Sequence, residues 1–329
     1  MEDKKTIVLT GASGLVGSHV LNHLLKTTDA NIVCLCSWEH KGSPLNVPKD
    51  ERVRVVTHDL GALIPESLEK SIGKVDIILN IASDSHVDRS ISDPVPFVRN
   101  NMNVALTMLE YARKVKPKLF LQFSTDEVYG SVPENYKSKE WDAIVPSNPY
   151  SASKAAQEAL AISYWRTYGV PVIITNTMNV YSSTQDWEKF IPLCVKRITE
   201  GEEIKIHAYP DKKRAGTRFY IHGDSVAEAI KFIMDNVEPK LYPVIDRPER
   251  INIVGETEID NLALALEIGT ILGMLPIYEL TDFHSARSGH DLRYALDGDK
   301  LDLLGWKPTQ NFHEKLKATV LELKAKLNQ

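Results

Sequence analysis

Near the amino terminus the apolar run Thr6-Ile7-Val8-Leu9-Thr10 breaks into Gly11-Ala12-Ser13-Gly14-Leu15-Val16-Gly17, and Ser18–Lys26 continues with helical spacing. A strand that turns this tightly into a helix sends the helix back along the sheet, so the next strand runs parallel to the first. The pattern recurs. Runs at Thr6–Thr10, Asn31–Cys36, Val53–Thr57, Val75–Ile81, Leu119–Thr125 and Val170–Thr175 alternate with longer helical segments. Several runs are apolar on both faces, as strands covered by helices on two sides must be. Between the fourth and fifth, Val98, Met102, Ala105, Leu106, Leu109 and Ala112 recur at helical spacing, and Lys114, Lys116 and Pro117 close a helix of about 18 residues. The expectation is an α/β fold built on a doubly wound parallel sheet.

After residue 178 the alternation loosens. Glu200–Lys213 is charged and turn-rich, Tyr242–Arg250 carries two prolines and four charges, and Asn261–Leu272 and Glu314–Leu327 read as helices. A chain of 329 residues makes one large domain or two modest ones. The expected division is a nucleotide-binding domain over 1–178 and a smaller substrate lobe over 179–329, with some of its segments returning to the first domain. Hydrophobic residues at 43% and charged residues at 25% exclude disorder, collagen and coiled coil. Lys+Arg 39 against Asp+Glu 44 gives a net charge of -5, which leaves no basic footprint for nucleic acid or an anionic membrane. Cys34, Cys36 and Cys194 are too few for a disulfide framework. The run Ile7–Leu9 is too short for a signal peptide, and no stretch approaches the roughly 20 apolar residues of a membrane span. A cytoplasmic protein is expected.

A glycine turn between strand and helix lets backbone approach a pyrophosphate and offers it the N–H donors of the helix start. On the first strand of a βαβ series, GxxGxxG therefore reads as a dinucleotide loop of a Rossmann fold, in its short-chain dehydrogenase spacing. Such folds place an acid after the second strand to hold the adenosine ribose, and this chain has Cys36 there. Cys34 and Cys36 share one strand face with no second ligand cluster, so no metal is expected. Asp59, after the third run, reads either as a partner for the adenine amino group or as a turn carboxylate.

Tyr150-Ser151-Ala152-Ser153-Lys154 opens a helix behind Ser147-Asn148-Pro149, and i, i+4 spacing puts phenol and ammonium on one face. A free phenol titrates near 10, so a Tyr base near neutrality needs about 4 kcal/mol of preferential phenolate stabilisation, to which a neighbouring cation contributes. Ser124-Thr125-Asp126-Glu127-Val128-Tyr129-Gly130 follows the fifth strand, at the end where open α/β sheets bind ligands. Two carboxylates there serve as acid and base if their environments separate their pKa values; otherwise they form a solvated acidic loop.

GASGLVG, SHVDRS (85–90), STDEVYG, NPYSASK (148–154), EKFIPL (188–193) and GHDLRYALD (289–297) occur in this order over nearly the whole chain. Together they resemble the nucleotide-sugar 4,6-dehydratases of the extended short-chain dehydrogenase/reductases, above all the dTDP-glucose 4,6-dehydratases. The resemblance implies Tyr150 as the base for oxidation, Lys154 at the nicotinamide ribose, Thr125 on the reacting hydroxyl, and Asp126 and Glu127 as the elimination pair. It implies a cofactor site of Gly11, Ser13, Gly14, Leu15, Val16, Gly17, Asp59, Leu60 and Ala82 with Tyr150 and Lys154. For the sugar nucleotide it implies Ser85, Asn179, Lys189, Arg218, Arg287 and His290; a guanidinium fork suits a diphosphate, although each arginine also reads as a surface charge. Asn179-Val180-Tyr181-Ser182, the stretch His207–Thr217 and Cys36 depart from the family pattern.

The implied partner is a nucleoside-diphosphate hexose of dTDP- or UDP-glucose type, and the implied cofactor is NAD. NADP stays open, because Ser37, His40 and Lys41 together offer a 2′-phosphate site while Glu39 repels one. A homodimer is implied through Phe97–Lys116 and Tyr150–Tyr168, with Ala105, Ala112, Ala155 and Ala159 permitting close approach. A nucleotide-sugar decarboxylase or 4-epimerase, and an NAD(P)-sensing protein without catalysis, are the alternative readings.

Overall fold

The computed structural model describes residues 4–37, 42–255, 257–282 and 291–328. The first half runs β1 (Thr6–Thr10), α1 (Leu15–Thr27), β2 (Asn31–Cys36), β3 (Val53–Thr57), α2 (Glu66–Ile72), β4 (Ile77–Asn80), α3 (Val87–Ser92), α4 (Pro94–Val115), β5 (Leu119–Thr125), α5 (Pro149–Tyr168) and β6 (Val172–Thr177). The second half runs β7 (Asn179–Tyr181), α6 (Phe190–Glu200), β8 (Glu203–Ala208), β9 (Thr217–His222), α7 (Gly223–Asn236), β10 (Glu249–Ile253), β11 (Thr257–Asp260), α8 (Asn261–Leu272), β12 (Ile277–Asp282), α9 (Asp299–Leu303) and α10 (Phe312–Leu327).

Seven strands form one parallel sheet in the order β10-β6-β5-β4-β1-β2-β3. The fold is therefore the expected Rossmann-type α/β architecture. Ile7, Leu9, Ile32, Leu79, Leu121 and Ile173 pack on one face with Val20, Leu21 and Leu24 of α1 and Val226 and Ile230 of α7. Val8, Val33, Ile78, Phe120 and Ile174 pack on the other with Met108 and Leu109 of α4 and Trp165 of α5. Coverage on both sides explains runs without polar alternation. Strand order reverses at β1, so the crevice between β1 and β4 is the switch point where such sheets bind ligands.

Smaller sheets, β11-β9-β7 and β12-β8, build the second part. There Ile191 and Val195 of α6, Leu264 and Ile268 of α8, and Leu316 and Val320 of α10 share a core. Among the described residues no helix is long and apolar enough to cross a membrane, and no group of His, Cys, Asp and Glu is arranged to hold a metal ion.

Some boundaries differ from expectation for identifiable reasons. The fourth strand shortens to Ile77–Asn80, and the sixth starts at Val172 because Gly169 takes a left-handed cap at φ 67 and Val170-Pro171 lead in from it. Helix α4 has 22 residues, started by Pro94 in its first turn and stopped by Lys116 at φ 51. Ala105 and Ala112, expected on an outer packing face, are buried within the chain's own core.

The last strand of the sheet is fastened by a buried ion pair. Arg250 of β10 and Glu158 of α5 are 1% and 0% exposed, with Nη2 and Oε2 2.5 Å apart. Asn176 Nδ2 donates to the other carboxylate oxygen at 2.8 Å, and Arg250 Nη1 donates to Glu140 O at 2.8 Å. Removing one partner strands a buried charge. Glu158→Ala is expected to cost about 3–5 kcal/mol in urea unfolding, and the double variant Glu158→Leu/Arg250→Met much less. A loss below about 1 kcal/mol in the single variant would contradict this account.

Candidate active site

Helix α1 sits on the end of β1 at close quarters. Gly11 has φ +73, a Cβ on it would lie 3.0 Å from Ala82 N and Cα, and a Cβ on Gly17 would lie 2.0 Å from Gly11 O. Gly14 N donates back to Gly11 O at 3.0 Å, and Ser13 O accepts Ser43 N at 3.1 Å and Asn46 Nδ2 at 2.9 Å. With these carbonyls bound within the protein, the N–H groups of the first turn of α1, which begins at Leu15 and Val16, form the donor cradle that a pyrophosphate fits.

Below this turn Cys36 is buried, and burial pushes its thiol pKa up while hydrogen bonds to Ser13 oppose the rise. The side chain is a neutral contact under the glycine turn, and Glu39, His40 and Lys41 lie outside the described residues. Asp59 is exposed and its Oδ1 accepts Gly61 N at 2.8 Å, so it closes a turn, while Leu60 beside it is buried.

Strand β5 ends at Thr125, which caps the short 3-10 turn Asp126–Tyr129. Thr125 Oγ donates to Asp126 Oδ1 at 3.0 Å, while Asp126 Oδ2 is buried with no hydrogen-bond partner among the described residues. Burial first, and the Glu127 charge second, push the Asp126 carboxyl up to about 7; the Thr125 hydrogen bond and the Arg218 charge oppose this. Glu127 is half-buried, and its Oε2 accepts Asn148 Nδ2 and Tyr294 Oη, each at 3.4 Å. The two acids therefore stand in different surroundings, one dry and one hydrogen-bonded.

Asn148 caps α5 in a reciprocal box with Ser151, which sets the first turn that presents Tyr150. Ser90 Oγ accepts Tyr150 N at 3.1 Å, and Phe97 packs edge-on at 6.3 Å. Lys154 Nζ donates to Phe123 O at 2.6 Å and to Gln157 Oε1 at 2.8 Å. The expected lowering of the phenol is reversed. Burial, then the Glu127 and Asp126 charges, hold Tyr150 well above the usual phenol range against a Thr125 hydrogen bond, and burial brings Lys154 down to about 7. Desolvation disfavours the charged form of both.

From the second part of the chain, Lys189 precedes α6 and donates to Ser85 O at 2.9 Å, with its pKa lowered by burial against the pull of Glu127. Asn179 Nδ2 reaches Phe219 O at 3.4 Å. Arg218 stacks 4.7 Å from the Tyr294 ring centroid, but its Nη atoms donate to Thr217 O and Leu292 O at 2.8 Å and to Asp291 O at 2.5 Å. Its fork is thus committed to the backbone, unlike the open diphosphate fork expected of it. Arg287 and His290 lie outside the described residues. The structure brings Thr125, Asp126, Glu127, Tyr150, Ser85 and Lys189 to one crevice and leaves Asp59 at the far edge strand. It adds Tyr294, whose position in GHDLRYALD was the available signal, and Asn148.

A parallel sheet, a glycine turn on its first strand and a buried Tyr–Lys helix occur together in the extended short-chain dehydrogenase/reductases, the class this fold and site define. Residues 8–319 match the GDP-mannose 4,6 dehydratase family, and the chain belongs to it. It is 33% identical over 323 residues to the dTDP-glucose 4,6-dehydratase of Streptomyces antibioticus, covering 95% of this chain and 91% of that one. It is 32% identical over 317 residues to the low-salt glycan biosynthesis protein Agl12 of Haloferax volcanii, covering 95% and 97%. The dTDP-glucose 4,6-dehydratase DesIV of Streptomyces venezuelae, solved with NAD and TYD bound, superposes with a TM-score of 0.87 at 30% identity over 98% of both chains.

The raised Asp126 carboxyl has a consequence for stability. Its value moves from 3.8 to about 7 on folding, so between those values the folded state holds a proton that the unfolded state releases, and stability falls as pH rises through the window. Asp126→Asn is expected to melt higher than wild type at about pH 8, with the gap closing toward about pH 4. A gap independent of pH in thermal scans would contradict it.

Proposed function

We propose that this protein is a nucleotide-sugar 4,6-dehydratase acting on a nucleoside-diphosphate hexose of dTDP- or UDP-glucose type with a retained NAD. The observation that carries the reading is the unequal pair at the end of β5: buried Asp126, raised to about 7, beside hydrogen-bonded Glu127, next to Tyr150 and Thr125. An epimerase has no step that needs a protonated acid and a separate base at this position.

Gly11, Ser13, Gly14, Gly17 and Ala82 would hold the dinucleotide pyrophosphate, with Lys154 and Tyr150 at the nicotinamide end. NAD bound there supplies the hydride acceptor for C4 and the hydride donor for C6. Tyr150 takes the C4 hydroxyl proton, and Thr125 hydrogen-bonds the same oxygen. With a ketone at C4 the C5 hydrogen is acidic; Glu127 removes it, and Asp126 protonates the C6 hydroxyl as it leaves as water. Ser85, Asn179 and Lys189 line the sugar-nucleotide side of the crevice, and the lobe after residue 178 supplies most of that surface.

Incubation with dTDP-, UDP-, CDP- and GDP-sugars followed by mass spectrometry is expected to show loss of water from one of them; loss of carbon dioxide, or no mass change, would overturn the reading. Asp126→Asn/Glu127→Gln is expected to keep cofactor binding and to lose dehydration by about 10²–10⁴-fold per role. Because hydride returns to the same sugar, the cycle draws nothing from an NADPH pool. The dinucleotide released on denaturing the purified protein is expected to be NAD, and NADP as the main species would overturn that assignment.

A further inference from the structure

One row across the sheet is polar where its neighbours are apolar. Thr10, Asn80 and Gln122 are register partners on β1, β4 and β5, each 0% exposed. Thr10 Oγ accepts Ile81 N and Ala82 N at 3.0 Å, so its own proton goes to Asn80 Oδ1 at 2.9 Å. Asn80 Nδ2 donates to Gln122 Oε1 at 2.9 Å, which turns the Gln122 amino group toward Phe123 O at 3.2 Å and Gln157 Oε1 at 3.3 Å. Those two oxygens are the acceptors of Lys154 Nζ. Gln157 Nε2 is tied to Asn101 O at 2.6 Å, so its amide cannot turn over without setting an amino group against both Lys154 and Gln122. Each amide in the row thus has one orientation, assigned by the network from the glycine-turn strand to the helix of Lys154.

We propose that Gln157, held by Gln122 and Asn80, is a positioning residue for the oxidation step, keeping the Lys154 ammonium charged and in place with neutral oxygens only. The proposal rests on the reading that Lys154 serves Tyr150. A carboxylate in contact would cancel the field of the cation at the phenol; two amide oxygens satisfy two of its three N–H bonds and leave the net charge intact. Among the described residues the charge that acts on Lys154 is that of Glu158 on α5, paired with Arg250; Tyr150 lies one turn before Lys154 on the same helix, and the Glu127 and Asp126 charges in the turn after β5 act on Tyr150. From α4 and β4 only the neutral Asn101 and Asn80 take part in the row.

The test is NMR titration of the purified protein labelled with 13Cε-lysine, the Lys154 signal being identified by its loss in Lys154→Met. Loss of one charge-assisted acceptor in Gln157→Met is expected to lower the Lys154 midpoint by about one pH unit. In a single turnover, C4 oxidation is expected to slow about tenfold with the sugar KM unchanged. Gln157→Glu is expected to raise the midpoint, and Gln122→Met to lower it less than Gln157→Met does. Should Gln157→Met fail to fold, the opposed shifts of Gln157→Glu and Gln122→Met decide the same question. Midpoints equal to wild type would overturn the proposal and leave the Lys154 reading standing. Shifted midpoints together with full C4 oxidation in Lys154→Met would overturn that reading and the catalytic purpose of the row with it.

Discussion

Position 17 has no room for a side chain, because α1 is seated directly on the carbonyl of Gly11. Much of the molecule is ordered by that contact. It fixes where β1 ends and where the helix dipole points, and Thr10 at that end is in register with Asn80 of β4, which is in register with Gln122 of β5. The turns that follow β4 and β5 therefore open on the same side of the sheet. Ala82 packs against Gly11 there, Ser85 reaches Lys189 at the head of α6, and Thr125 starts the turn that carries both acids. The smaller lobe is brought to the same crevice by that Lys189 contact and by Tyr294, which meets Glu127.

Exclusion of water acts on Asp126, Tyr150 and Lys154 in one sense, toward neutrality. It raises Asp126 and Tyr150 and lowers Lys154. For Asp126 this is the state the proposed acid role needs. In the proposed reaction Lys154 and Tyr150 need the opposite, a cation beside a base, so their surroundings would have to counter it. Thr125 gives its one hydroxyl proton to Asp126 and so opposes the rise there. The oriented oxygens of Phe123 and Gln157 do the corresponding work at Lys154.

Four strands, β1, β2, β3 and β5, have the limits read from sequence, since each β-branched run ends at a glycine, a charge or a turn-former. Strand β6 lies two residues later than its sequence suggests, because Val170-Pro171 looks extended while Gly169 still belongs to the helix cap. Strand β10 is not marked in the sequence: its first two residues, Glu249 and Arg250, end the proline- and charge-bearing stretch Tyr242–Arg250, and the burial of Arg250 depends on Glu158, far away in sequence. In the site, the residues carried by motif spacing were legible as candidates. The amide row was not, since Asn80, Gln122 and Gln157 look like polar interruptions of apolar runs until the sheet register aligns them.

The adjacent residues Gln157 and Glu158 show how closely structural and site electrostatics are joined. Both are fully buried on α5, one turning an amide oxygen to Lys154, the other a carboxylate to Arg250 and Asn176. The Glu158 charge favours the protonated form of Lys154 across a dry interior, where screening is weak. Arg250 sets the balance of that field, since its cation faces the same carboxylate from β10 and stacks 4.4 Å from the Trp141 ring centroid. The carboxylate that fastens the last strand to the sheet therefore also contributes to the potential at Lys154. A change at Arg250 would be felt in stability and, through Glu158, in the protonation of Lys154.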